Sequence, residues 1–330
     1  MNIEKWRSNF IRCPSRLCKN PKMGWTVVRQ LGNGLREYKC SCCARSFYFN
    51  VKTWQMFRWH PKYSSLKYLP FAKRMDETDQ NTINRFSSRA RKLGITPEFN
   101  AQDCDFLLVL GGDGTMLKAV HNFAEFHKPF VGINYGHRGF LLNEKDEFFF
   151  EKIRDEDYDI FSAPLLEAII TMEDNSQVRE LALNDIIISE DSGQSALLEV
   201  MINDVILDSG LFGDGLIVST PLGSTAYTAN AGGVPIAPTL PVLELTPIAP
   251  QPRNRIPLVV PETSIVTIKA LELPKRKVKV NQGSIFQHSD VSKVEVRLAK
   301  ERVELVFFKP RDISWDNFFL ERFCEKVYKV

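Results

Sequence analysis

Chemistry is first suggested by Gly111-Gly112-Asp113-Gly114-Thr115, which follows the apolar run CDFLLVL. Glycines placed after a buried strand let the backbone come within hydrogen-bond distance of an anion. The next helix adds unpaired N–H groups and the positive end of its dipole. Phosphate is the natural guest of Gly112, Gly114 and Thr115. A carboxylate repels phosphate, so Asp113 needs a reason to be there. It takes a proton from an attacking hydroxyl, helps hold a magnesium ion that bridges phosphates, or merely caps a helix starting near Thr115.

Two other segments carry polar groups in unusual density. In STPLGSTAY (219–227), hydroxyls and small residues let the backbone approach a ligand closely; the alternative is a Gly/Ser turn between strands with Tyr227 in the core. Asn184-Asp185 stands ahead of the apolar IIIS, as a ligand contact or as a strand-entry turn. Near the amino terminus, five of the seven cysteines lie between positions 13 and 43. Cys13-x₄-Cys18 and Cys40-x₂-Cys43 flank a hairpin pattern, with Cys42 a rival for Cys43. Four thiolates from two turns close a tetrahedron around Zn²⁺, and so small a module has too little core to fold without one.

These groups need elements to hold them. WTVVRQL and LREYKC around Gly32-Asn33-Gly34 predict a β-hairpin, and residues 50–65 read as an aromatic, irregular linker. SLKYLPFAK reads as a strand and DQNTINRFSSRARKLG as an amphipathic helix ending on Gly94. CDFLLVL has the continuous apolarity of a buried parallel strand. Behind the glycine turn, Met116, Leu117, Val120, Phe123 and Ala124 share one helical face, and PFVGI supplies the next strand. Strand and helix thus alternate in a Rossmann-like α/β domain. Beyond about residue 160, short alternating strands predict a second, all-β domain built as a β-sandwich, and the Pro-rich span 235–261 reads as irregular loop. The expected division is a zinc-ribbon-like basic module with linker (1–62), an α/β nucleotide-binding domain (63–158) and a mainly β domain (159–330) whose carboxy-terminal tail returns to the α/β domain.

The 330 residues suffice for two domains and a small module, and 44% hydrophobic with 25% charged residues is a globular composition. No span is long and apolar enough to cross a bilayer, and MNIEKWRSNF lacks the apolar core of a signal peptide, so a cytoplasmic location with no membrane partner is expected. Of the net +3, residues 1–62 hold +11, leaving −8 for the rest. With Trp25, Tyr38, Phe47 and Tyr48 interleaved, that basic arm would suit nucleic acid, or it packs as a structural module.

Taken in order, GGDGTML, GINYGHRGFL (132–141), LNDIII (183–188), DGLIVSTPLGSTAYTANAGG (214–233) and TPIAP (246–250) closely resemble the NAD kinase family from about Ser65 onward. The resemblance implies phosphoryl transfer from ATP or another nucleoside triphosphate, with divalent metal (Mg²⁺), to the 2′-hydroxyl of the adenosine ribose of NAD, in a homodimer or homotetramer. It implies that Asp113 is the proton acceptor, with Gly114 beside it. Asn184 and Asp185 contact bound nucleotide, and Asp214 meets the nicotinamide end. In the loop that carries Ser224, residues Thr225, Ala226 and Tyr227 cradle an adenine, with Tyr227 as a stacking face; Ala249 lines the same site. REYKCSCCARSF, with CP-x₄-C before it, resembles zinc ribbons. The chain departs from the family pattern at Phe212, where Arg is common, at Pro250-Gln251 in place of Pro-His, and at Gln282-Gly283-Ser284 in place of Asp-Gly-Gln. All three lie where substrate preference is set. Two other readings compete: a zinc-ribbon nucleic-acid regulator whose kinase-like body senses NAD(P), and a lipid or sugar kinase sharing only GGDGT.

Overall fold

The computed structural model describes residues 25–32, 35–40, 46–50, 55–57, 66–72, 86–136, 139–253, 255–273, 275–309 and 313–327. Its described residues fall into two compact units, one within Met1–Pro70, Arg74–Asp105 and Asp146–Tyr158, the other within Phe71–Lys73, Phe106–Lys145 and Asp159–Val330.

In the first unit, Trp25–Gly32, Leu35–Cys40, Ser46–Asn50 and Gln55–Phe57 pair in sequence order as a four-stranded antiparallel sheet. The predicted hairpin is there, closing at Gly32↔Leu35. The expected linker is partly wrong, because Gln55–Phe57 pairs with Tyr48–Asn50 as an edge strand. Three residues are too few to show a two-residue period, so nothing in the sequence marked them. Further along, Lys67 and Tyr68 lie parallel to Thr96 and Pro97, and the intervening helix (86–92) ends at Gly94, whose φ of +76° suits only glycine well. That helix packs on Phe149–Arg154 through Phe86 and Phe149 (centroids 5.2 Å apart) and an Arg89–Glu151 ion pair at 2.9 Å.

The second unit begins with Phe106–Gly111, whose residues Phe106 to Leu110 are all buried, as the unbroken apolar run required. It pairs in parallel with Phe130–Asn134 (Leu107↔Phe130 through Gly111↔Asn134), and helix Asp113–Phe123 crosses between them. Asp113–Phe123 buries Thr115, Met116, Ala119 and Val120. Leu117 and Phe123, expected on that face, are only half-buried. The helix also begins at Asp113, earlier than the expected Thr115, with Gly112 as its cap residue.

The long strand Val291–Phe307 joins the two architectures. Its far end lies parallel to Phe130–Val131, while most of its length runs antiparallel to Asp159–Met172 and Val266–Ala270. Outward from Val266–Ala270 come Ala196–Ile202 and then Val205–Gly213 at the edge. A second sheet runs Leu258–Pro261, Val242–Ile248, Gly215–Ser219, Asp185–Glu190, Val278–Asn281 and Gln287–His288. Ile186, Ile188, Leu216, Val218, Leu243, Leu245, Val278 and Val280 point from it into one core with Leu166, Ile170, Leu198, Val266, Ile268, Val294 and Val296 of the first. These are alternate residues of each strand, so the two sheets face each other across a dry layer.

The span 235–261 is a correction: Val242–Ile248 and Leu258–Pro261 are paired strands rather than loop. Leu243 and Leu245 point inward and Glu244 and Thr246 to the other face, an alternation masked by the surrounding prolines. ELALNDIIIS likewise divides at Leu183-Asn184 into Gln177–Ala182 and Asp185–Glu190, which belong to different sheets. Among the described residues no helix is long and apolar enough to cross a membrane.

Candidate active site

The glycine corner sits at the carboxyl end of Phe106–Gly111. A Cβ on Gly111 would stand 2.3 Å from Thr115 Oγ1, so the turn closes only without one. A Cβ on Gly112 or Gly114 would meet nothing within 4 Å. The first helical turn, with its orphan N–H groups, is therefore open to a ligand at both positions. Tyr135 N–H donates to Gly111 C=O at 2.7 Å, bringing the end of the next strand alongside.

Asp113 does not cap its own helix. Its carboxylate accepts the Phe140 N–H at 2.8 and 3.0 Å, one distance to each oxygen, and the Leu141 N–H at 2.9 Å. Two backbone donors fix the orientation of its carboxylate. The donor segment is held in turn by Asn143, buried, whose amide donates to Gly132 C=O at 3.0 Å and Val306 C=O at 2.8 Å while accepting the Phe308 N–H at 2.7 Å. On its other side, Arg322 Nη1 donates to Leu142 C=O at 2.6 Å and Phe140 C=O at 3.0 Å. Asn143 and Arg322 carried no signal in the sequence, since neither falls in a spaced motif and their partners lie far along the chain.

The second cluster lies on the face of the second sheet opposite the core. Thr220 N–H and Oγ1 donate to Asn184 C=O at 2.8 and 3.2 Å. A Cβ on Gly223 would fall 2.1 Å from that same carbonyl, so only glycine lets STPLGSTAY settle on Asn184. Asn184, Asp185, Ser224, Thr225, Ala226 and Tyr227 are thus brought together. Ser224 is fully buried, its Oγ donating to Pro221 C=O at 2.7 Å and accepting the Ile236 N–H at 2.9 Å. Tyr227 is 43% exposed, which removes the core alternative for its ring.

Asp185 pairs with Ser219, and Ser219 with Glu244, forming a buried polar row across three strands. Burial pushes the Asp185 carboxyl up to about 7 and raises the Glu244 carboxyl as well. Asn184 Oδ1, Ser219 Oγ, Thr228 Oγ1 and one Glu244 oxygen are buried without a protein hydrogen-bond partner. Ser219, Thr228 and Glu244 were not singled out from sequence; the alternation of Glu244 with Leu243 and Leu245 was the available signal.

Asp214 and Ala249 form a third group, away from the second. Asp214 N–H donates to Ile248 C=O at 2.9 Å, and both side chains are exposed. They lie at the opposite end of Gly215–Ser219 from Asp185, about 14 Å along a strand of that length. Arg276 lies 5.0 Å over the Phe212 ring and donates to Ser195 C=O at 2.7 Å. The last turn of helix Asp113–Phe123 packs on the strand that leads into Asn184-Asp185, with His121 Nδ1 3.8 Å from the Glu180 carboxylate. Of the proposed zinc ligands, Cys13, Cys18 and Cys43 lie outside the described residues, and Cys40 ends the strand Leu35–Cys40. Among the described residues no group of three or more His, Cys, Asp or Glu is arranged to hold a metal.

A glycine-cornered strand and helix, a carboxylate held by backbone amides and a hydroxyl-rich loop on a β-sandwich define a nucleotide-dependent phosphotransferase. Two family models match, the ATP-NAD kinase N-terminal domain over residues 60–155 and the ATP-NAD kinase C-terminal domain over residues 183–307. The chain belongs to the ATP-NAD kinase family. It is 35% identical over 238 residues to an NAD kinase of Clostridium perfringens, covering 68% of this chain and 81% of that one. Its fold matches yeast NADH kinase complexed with NADH (TM-score 0.69, 20% identity, 83% of this chain and 89% of that one). It also matches an NAD kinase from Archaeoglobus fulgidus in complex with ATP (TM-score 0.64, 24% identity, 78% and 98%). The C-terminal match covers the STPLGSTAY block, so neither the lipid or sugar kinase nor the non-catalytic regulator finds support.

Proposed function

We propose that this chain is an NAD kinase that transfers the terminal phosphoryl group of ATP to the 2′-hydroxyl on the adenosine side of NAD, with Asp113 as proton acceptor. The observation that carries this is the Asp113 carboxylate, held by two backbone N–H groups in the glycine corner at a helix amino terminus. Phosphate oxygens settle on the N–H groups of the first helical turn beside Gly112, Gly114 and Thr115. The ribose hydroxyl gives its proton to Asp113 as its oxygen bonds to the terminal phosphorus. The bond from that phosphorus to the bridging oxygen breaks, and the nucleoside diphosphate leaves with the electron pair. Carboxylate and phosphate oxygens suit a hard divalent cation such as Mg²⁺, which Asp113 would help hold and which neutralises phosphate charge when bound.

Asn184 and Asp185 receive the nucleotide, and the unpartnered Asn184 Oδ1 supports this by offering an acceptor to an amine of the ligand. Thr225, Ala226 and Tyr227 cradle its base, and the buried Ser224 hydroxyl holds their loop in place. Asp214 and Ala249 serve another part of the dinucleotide, which their distance from Asp185 favours. The test is NADP formation by the full chain with Mg²⁺, several donors, and NAD or NADH. Asp113→Asn should lower kcat by about 10²–10⁴ with the fold intact, and unchanged turnover would remove Asp113 as the acceptor.

The functional division into 1–62, 63–158 and 159–330 is supported by where the two family matches fall. The first of these modules holds Zn²⁺ through Cys13, Cys18, Cys40 and Cys43 and offers its +11 charge to nucleic acid, a reading supported by the hairpin that ends on Cys40. Exposed Val205, Ile206 and Leu207, consecutive on an edge strand, support a homodimer or homotetramer. We place the enzyme in the cytoplasm.

A further inference from the structure

We propose that Arg322 is a positioning residue for Asp113, acting through two peptide groups that lie between them. The inference rests on Asp113 being the proton acceptor. Arg322 lies on helix Trp315–Val327, and its Nη1 donates to Gly139 C=O at 3.4 Å, Phe140 C=O at 3.0 Å and Leu142 C=O at 2.6 Å. The peptide bond whose carbonyl is Phe140 C=O carries the Leu141 N–H, which donates to Asp113 at 2.9 Å. The peptide bond whose carbonyl is Gly139 C=O carries the Phe140 N–H, which donates to the same carboxylate at 2.8 and 3.0 Å. Each peptide group therefore has a cation at its oxygen and an anion at its N–H.

This arrangement does two things. A guanidinium on the carbonyl polarises the amide and strengthens its N–H as a donor, because hydrogen bonds in a chain reinforce one another. It also fixes the plane of each peptide, and so the direction in which the carboxylate oxygens present their remaining lone pairs. The guanidinium is itself held, 4.6 Å over the Phe318 ring and 5.2 Å over Phe307, while the Phe140 ring packs 5.4 Å from Phe319. Arginine suits this position because its planar fork stays charged and pre-organised, where lysine offers a flexible point charge.

The experiment uses the full chain with saturating Mg²⁺–ATP and NAD. Arg322→Met keeps the aliphatic stem over the rings and removes the donors. It should lower kcat about 10–100-fold while each KM stays within about twofold, because misplacing a reacting group costs rate rather than binding. Arg322→Lys should recover part of the loss. The deciding measurement is a double-mutant cycle: in the Asp113→Asn background, read by long incubation, Arg322→Met should cost less than about twofold more. An equal fall in both backgrounds, a loss carried by KM, or an unchanged kcat would overturn the proposal. If Arg322→Met fails to fold, the cycle is run with Arg322→Lys under the same criteria. Full turnover by Asp113→Asn would instead sink the proton-acceptor reading, whereas an inactive Asp113→Asn beside a normal Arg322→Met sinks only the relay.

Discussion

Asp185 offers a test in which pH separates burial from every other contribution. Its carboxyl is raised from 3.8 to about 7 because burial disfavours the charged form. In the unfolded chain it ionises near its ordinary value. Between the two values the folded protein keeps a proton that the unfolded chain has lost, so stability falls as pH rises through that window. The penalty is absent below the unfolded value and fully present above about 7. A rise of about three pH units corresponds to about 4 kcal/mol, of which about 3 kcal/mol develops between pH 5 and pH 8. Asp185→Asn keeps the shape and cannot ionise. Its melting temperature relative to the parent, without nucleotide, should therefore rise by roughly 5 °C on going from pH 5 to pH 8. A difference that is flat with pH, or one that moves the other way, would show that Asp185 is charged and compensated in the folded protein.

Two further outcomes follow from the placement of other groups. Tyr227→Ala, at an exposed ring, should leave the melting temperature nearly unchanged and raise the KM for the dinucleotide by about tenfold, read in the NADP-forming assay. The purified full chain should contain about one zinc per molecule by elemental analysis, and Cys40→Ser with Cys43→Ser should remove it.

The parts of this molecule that could be read from sequence were those whose neighbours are close along the chain. The unbroken apolar run before Gly111 announced a parallel strand, and two β-rich runs around Gly32 announced a hairpin. Strand Val242–Ile248 was hidden because Pro241, Pro247 and Pro250 punctuate it. Pro247 is tolerated there because the outer partner stops at Leu245↔Leu258, so no ladder bond is asked of its nitrogen on that side. Of the site, the corner and the hydroxyl-rich loop were legible because glycine spacing is local. The supports of Asp113 were not, since the Arg322–Leu142 hydrogen bond spans 180 positions and the Asn143–Val306 bond 163. Which strand ends meet in space is decided by topology, and Asp214 and Asp185 at opposite ends of Gly215–Ser219 could not have been separated from spacing alone.

Strand Val291–Phe307 lies between elements made long before it, and this fixes the order in which the protein can mature. Phe130–Asn134 waits for it on one side, Asp159–Met172 and Val266–Ala270 on the others. On the ribosome, these three strands each emerge with an unfilled edge, a delay that favours slow folding and capture by chaperones. A nascent chain interrupted before Val291 would have its glycine corner and its hydroxyl-rich loop fully translated, and still lack the strand that joins the parallel and antiparallel parts of the first sheet.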